Sequence, residues 1–98
     1  MTTKLFKEQM NKAFKILRVI GYWCNRKYQN DYNPDLSRII EEKEKCVYYY
    51  TKEIKNNDSY IYLYWKGDNE EIIKVLSLVG IKSSCENPEY EKIKCFLN

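Results

Sequence analysis

Residues 46–65, CVYYYTKEIKNNDSYIYLYW, decide the fold class of this chain. Cys46–Tyr50 and Tyr60–Trp65 are rich in aromatic and β-branched side chains, which suit a pleated, half-buried surface. Lys55-Asn56-Asn57-Asp58-Ser59 between them is turn chemistry. The spacing predicts two antiparallel strands. In the second, Ile61, Leu63 and Trp65 point one way and Tyr60, Tyr62 and Tyr64 the other. In the first, Tyr48 and Tyr50 share a side and Tyr49 takes the opposite one. The hairpin therefore has an apolar side that needs a cover.

The flanking sequence supplies covers. In residues 3–20, Phe6, Met10, Ala13, Phe14, Leu17 and Ile20 recur at spacings of three and four, the mark of an amphipathic helix. Thr2 or Thr3 can cap its start and Gly21 its end. After the hairpin, Asp68 and Glu71 have capping-box spacing, Ile72, Ile73, Val75, Leu76 and Val79 form a core stripe, and Gly80 suits the residue after a helix. Between the first helix and the hairpin, Gly21–Cys24 reads as a short strand and residues 25–33 as loop. Asn33-Pro34-Asp35 opens a short helix with Leu36, Ile39 and Ile40 on its apolar stripe. Beyond Gly80 come a strand near Ile81–Cys85, a turn at 86–89 and a final strand at Tyr90–Leu97. There Ile93, Cys95 and Leu97 alternate with Lys92, Lys94 and Phe96. The expected fold is α+β: an antiparallel sheet of four or five strands, with the N-terminal helix and a second long helix on one face.

The chain has 98 residues, 44% of them hydrophobic and 32% charged, which fits a single folded domain spanning 1–98. No apolar run approaches the roughly 20 residues that a membrane span needs. Residues 1–10 lack the apolar run and cleavage site of a signal peptide, so a cytoplasmic location is expected. The formal charge is +3, but it is unevenly spread. Lys4, Lys7, Lys12, Lys15, Arg18, Arg26 and Lys27 lie in the first thirty residues against Glu8 alone, and the remainder is net acidic. A basic first third either is a solvated helix face or marks an anionic partner.

Catalytic chemistry is scarce. The chain has no histidine, which removes histidine-based triads and histidine metal sites. It has three glycines and no phosphate-cradling loop. Cys24, Cys46, Cys85 and Cys95 show no paired-ligand spacing, so no metal and no cofactor is expected. They read as reduced, mostly buried thiols. Two side readings stay open: Cys85 and Cys95 facing each other across a hairpin, and a reactive Cys24 activated by Arg26 and Lys27. The carboxylates Glu41, Glu42, Glu44, Glu70 and Glu71 fall on helices, where dipole and ion-pair roles account for them. A non-enzymatic protein is expected.

The positive signal is tyrosine. If the hairpin register agrees, Tyr48, Tyr50, Tyr60, Tyr62 and Tyr64 occupy one face. Tyrosine offers large rigid contact area and a hydrogen-bonding tip. Such a face suits a protein partner. It also suits stacked nucleobases, helped by a basic set of Lys4, Lys7, Lys15, Arg18, Arg26 and Lys27. Cross-strand tyrosine pairs would equally stabilise the hairpin without any ligand.

Gly21-Tyr22-Trp23-Cys24, Val47-Tyr48-Tyr49-Tyr50, Tyr62-Leu63-Tyr64 and Val79-Gly80-Ile81 together resemble a bacterial domain family of unknown function. In that family a cysteine-bearing strand follows a helix, then come two aromatic strands, an amphipathic helix ending in Gly and a last strand. Its members often cluster cysteines at the first strand, where this chain has Cys24 alone. The resemblance implies a fold and no activity. In size and composition the chain is similar to small phage-encoded anti-defence proteins, anti-CRISPR inhibitors among them, which act by occupying a host surface. The expectation is an interaction module that binds and inhibits a host protein complex through the five tyrosines, with the basic residues at their rim. The alternative is a nucleic-acid or nucleotide-binding protein using the same face. Edge strands also allow a homodimer.

Overall fold

The computed structural model describes residues 2–27, 38, 41–50, 59–85 and 92–97. Of the expected short helix entered at 33–35, residues 33–37 and 39–40 lie outside them, Arg38, Glu41 and Glu42 are helical, and 43–45, expected on its exposed face, are not; the turns at 55–58 and 86–89 also lie outside them. Helix α1 spans Thr3–Val19 and buries Phe6, Met10, Ala13, Phe14 and Leu17 of the expected stripe, while Ile20, its last expected member, caps the helix and is exposed. The Thr2 hydroxyl accepts the Leu5 N–H at 3.1 Å and caps it. Gly21 follows with φ of 100°, and this lets the Tyr22 N–H reach the Leu17 carbonyl at 2.9 Å and the Gly21 N–H the Arg18 carbonyl at 3.2 Å. This double bond pattern ends the helix and drops Tyr22 into the core directly before strand β1, Trp23–Lys27.

Strands β2 (Cys46–Tyr50) and β3 (Tyr60–Lys66) follow, then helix α2 (Asn69–Leu78), β4 (Lys82–Ser84) and β5 (Lys92–Phe96). Asp68 caps α2 by accepting the N–H groups of Glu70 at 3.0 Å and Glu71 at 3.4 Å. Its end repeats that of α1: Gly80 has φ of 85° and the Ile81 N–H reaches the Leu76 carbonyl at 2.8 Å.

The five strands form one sheet in the order β1-β2-β3-β5-β4. Pairs β2–β3, β3–β5 and β5–β4 are antiparallel. β1 instead runs parallel to β2, with Trp23 opposite Cys46 and Lys27 opposite Tyr50. The sheet is thus mixed and not wholly antiparallel. Parallel neighbours need a crossover of a dozen residues or more, and residues 28–45 provide that length where a tight turn would have forced the antiparallel pair. β5 also sits between β3 and β4, so β3-α2-β4 is a split crossover.

Both helices cover the same side of the sheet and pack on each other. The Phe6 and Phe14 rings stand 5.8 and 5.9 Å from the Tyr49 ring. Val47, Ile61, Leu63, Trp65, Ile93 and Cys95 point into the same core, where Ile72, Val75 and Leu76 of α2 meet them. The α+β architecture is that implied by the periodicities.

Candidate functional site

Pairing register places the tyrosines. Tyr48 is opposite Tyr64, Tyr60 opposite Phe96, Tyr62 opposite Lys94 and Tyr64 opposite Lys92. Residues directly opposite project to the same side of a sheet. Tyr48, Tyr50, Tyr60, Tyr62 and Tyr64 therefore share the face opposite α1 and α2, joined by the fully buried Cys46 and by Phe96, Lys66, Lys82, Lys92 and Lys94. Tyr49 alone of the β2 tyrosines turns inward and is fully buried.

This face carries an ordered lattice of rings. Tyr48 and Tyr64 stack with centroids 5.4 Å apart and planes 15° from parallel. Tyr50 sets its ring edge-to-face against Tyr64 at 5.4 Å and Tyr48 at 6.1 Å. Tyr60 and Tyr62 form a second such pair at 5.4 Å. Lysines of β5 lie over these rings. Lys94 Nζ is 4.2 Å from the Tyr60 centroid, and Lys92 Nζ is 5.4 and 5.7 Å from Tyr62 and Tyr64. Each aromatic pair contributes about 0.5–1.5 kcal/mol beyond area burial, and each exposed cation–π contact roughly 0.5–1 kcal/mol. The rings are thus held in place by one another and by the β5 lysines. All five tyrosines remain partly exposed, Tyr60 the most at 39%.

Among the described strand residues, the basic positions on this face belong to β5, β3 and β4 and, at the register position of Tyr50, to Lys27 of β1. None of the five strands contains Asp or Glu. Helix α1 packs on the Tyr49 side of the sheet, so the helix that carries Lys4, Lys7, Lys15 and Arg18 lies across the sheet from the five phenols. Arg18 is engaged locally: its Nη2 donates to the Cys24 carbonyl at 2.9 Å, and its guanidinium carbon lies 5.6 Å from the Phe14 centroid. Arg26, half-buried, shares the helix side of the sheet in register with Tyr49. Lys27 lies in register with Tyr50 at the end of β1. The lysines that do interleave with tyrosines, Lys92 and Lys94, were visible in the sequence as the polar half of an alternating strand. What that pattern omitted was the pairing of β5 with β3.

A second arrangement had no signal in the sequence. The Tyr22 hydroxyl accepts the Asp68 N–H at 3.0 Å and donates to the Asp68 carbonyl at 3.4 Å, tying the start of β1 to the start of α2. Burial pushes this phenol up to about 12; the Asp68 backbone bond opposes the shift and the Glu71 carboxylate adds to it. An open cleft of about 490 Å³ beside it is lined by Arg18, Tyr22, Trp23, Glu42, Glu44 and Lys45. Its charged lining residues are all exposed.

All four cysteines are thiols. Cys24, Cys46 and Cys95 are buried and Cys85 is half-buried. Cys95 lies opposite Ser83, not Cys85, whose sulfur instead accepts from Asn69 Nδ2 at 3.3 Å. Burial pushes the Cys24 thiol up to about 12 despite the lowering effect of Arg18, the reverse of what a reactive thiolate requires. Among the described residues no cluster of Cys, Asp or Glu is arranged to hold a metal, and no helix is long and apolar enough to cross a membrane. Comparison with protein-family models, with curated proteins and with solved structures finds no match for this chain.

Proposed function

We propose that this chain is a small, non-enzymatic protein-interaction module whose contact surface is the tyrosine face of the sheet. It would act in the cytoplasm as an inhibitor that occupies a surface of a host protein complex, in the manner of phage or mobile-element anti-defence proteins. The observation that carries the reading is the arrangement of five partly exposed tyrosines on the sheet face opposite α1 and α2, in ring contact as a group of three and a pair. Tyrosine is enriched at the centres of protein interfaces because one ring combines apolar area with a hydroxyl donor and loses little entropy on burial. The absence of histidine and of a glycine-rich phosphate loop supports binding over catalysis.

The test is affinity capture from host extract, with and without nuclease, using the native chain and Tyr60→Ala plus Tyr62→Ala. This double variant leaves the Tyr48–Tyr50–Tyr64 contacts in place, so folding is retained and is checked by circular dichroism. Nuclease-resistant capture by the native chain and its loss in the variant are expected. Undiminished capture by the folded variant would remove the tyrosine face from the interface.

A further inference from the structure

The basic first helix is left without a role by the tyrosine face, which lies across the sheet from it. Helix α1 carries Lys4, Lys7, Lys12, Lys15 and Arg18 against the single acid Glu8. Its outward side is also apolar. Six large apolar side chains are exposed among the described residues: Leu5, Ile16, Val19 and Ile20 of α1 and its cap, Leu78 of α2, and only Tyr60 on the sheet. Val19 is 86% exposed and Leu78 77%. Leu5, Lys12, Ile16 and Val19 recur at helical spacing, so they form one ridge about 21 Å long. Lys4 and Lys15, each one position before a ridge residue, flank it, and both are exposed, as is Lys12. A Cβ built on Gly80 would lie 3.6 Å from Gln9 Nε2, which sets the end of α2, with Leu78, beside the first half of α1.

The charge calls for an anionic partner, and the aliphatic groups narrow the choice. Nucleic-acid phosphates are met by lysines and gain nothing from aliphatic neighbours. A groove on an acidic protein admits the ridge of one helix, whereas the exposed aliphatic groups here lie on two packed helices. A bilayer is flat, takes lysines at the level of its headgroups and accepts aliphatic side chains just beneath them. The cytoplasmic leaflet carries the matching negative charge. A second copy of this chain is the wrong occupant, because two α1 helices would set like charges face to face. We propose that the outer side of the helical layer docks on an anionic lipid surface, with Lys4, Lys12 and Lys15 at the headgroups and Leu5, Val19 and Leu78 entering the boundary below. This site does not depend on the role of the tyrosines.

The experiment is flotation with vesicles of phosphatidylcholine, alone or mixed three to one with phosphatidylserine. It uses four full-length proteins whose folding is checked by circular dichroism: native, Lys4→Glu plus Lys15→Glu, Val19→Ser plus Leu78→Ser, and Lys92→Glu plus Lys94→Glu. The last changes net charge as much as the first pair of substitutions, on strand β5. The native chain is expected to float with the mixed vesicles and not with phosphatidylcholine alone. Partitioning should fall about tenfold or more in the α1 lysine variant, about threefold or more in the Val19 and Leu78 variant, and less than about twofold in the β5 variant. Absence of flotation, or equal flotation on both lipids, would overturn the proposal. Equal losses in the two lysine variants would reduce the effect to net charge and overturn it too, as would undiminished flotation of the Val19 and Leu78 variant. Displacement from the mixed vesicles by an equal charge of single-stranded DNA or of poly-L-glutamate would assign the helix to nucleic acid or to an acidic protein instead.

Discussion

Gly67 has φ of 127°, and a Cβ placed there would lie 2.8 Å from the Tyr22 hydroxyl oxygen and 2.9 Å from its ring. Two separate constraints meet at this residue. The backbone conformation strains any side chain, and the space is filled by the phenol that ties β1 to α2. Substitution Gly67→Ala is therefore expected to destabilise the chain by about 2–4 kcal/mol, read as a lower urea midpoint with an unchanged slope. In a Tyr22→Ala background the steric part disappears while the backbone part stays, so the added cost of Gly67→Ala should fall to about 1–2 kcal/mol. The glycine was readable as a turn residue from Lys66-Gly67-Asp68. Its contact with Tyr22 was not, because the two lie far apart in the chain and only folding brings them together.

Each helix is specified locally at both ends. Asp68 accepts two N–H groups of the first turn of α2, and Glu70 and Glu71 add negative charge where the helix dipole is positive. Asp68→Ala should cost about 1 kcal/mol, checked by thermal unfolding, and Asp68→Ser should recover most of it. These signals lie within a few residues of one another, and for that reason the cap, stripe and terminal glycine of α2 were legible in advance. Strand β1 was less so. Its expected span of Gly21–Cys24 became Trp23–Lys27, because the polar Asn25-Arg26-Lys27 is drawn into the ladder by its parallel neighbour β2 and not by its own propensity. An edge strand needs one good partner and tolerates a polar sequence.

At the scale of the molecule, three weak acids from different elements are held neutral by burial: Cys24 in β1 and Cys95 in β5, each pushed from about 9 to about 12, and Tyr22 pushed from about 10 to about 12. The unfolded chain releases these protons first as pH rises. Their contribution to stability is complete below about pH 9 and is lost as pH climbs towards 12. Urea midpoints under reducing conditions should stay level up to about pH 8.5 and fall steadily above 9, with a shallower fall in Cys95→Ala. A flat profile through pH 10.5 would contradict the burial of these groups.

The sequence by itself determined helices α1 and α2, the antiparallel β2–β3 pair, the inward and outward halves of β2, β3 and β5 and the α+β class. All of these follow from local periodicity and from caps whose partners are close in the chain. It also singled out five tyrosines and the shortage of catalytic groups. Strand order was a tertiary outcome: β1 joined β2 in parallel and β5 came between β3 and β4, because these pairings are set by long-range packing under the two helices. That order put Lys92 and Lys94 among the phenols and left the basic side of α1 across the sheet. The residues of the candidate face were visible one by one; their neighbours were decided by register, which no short stretch of sequence encodes.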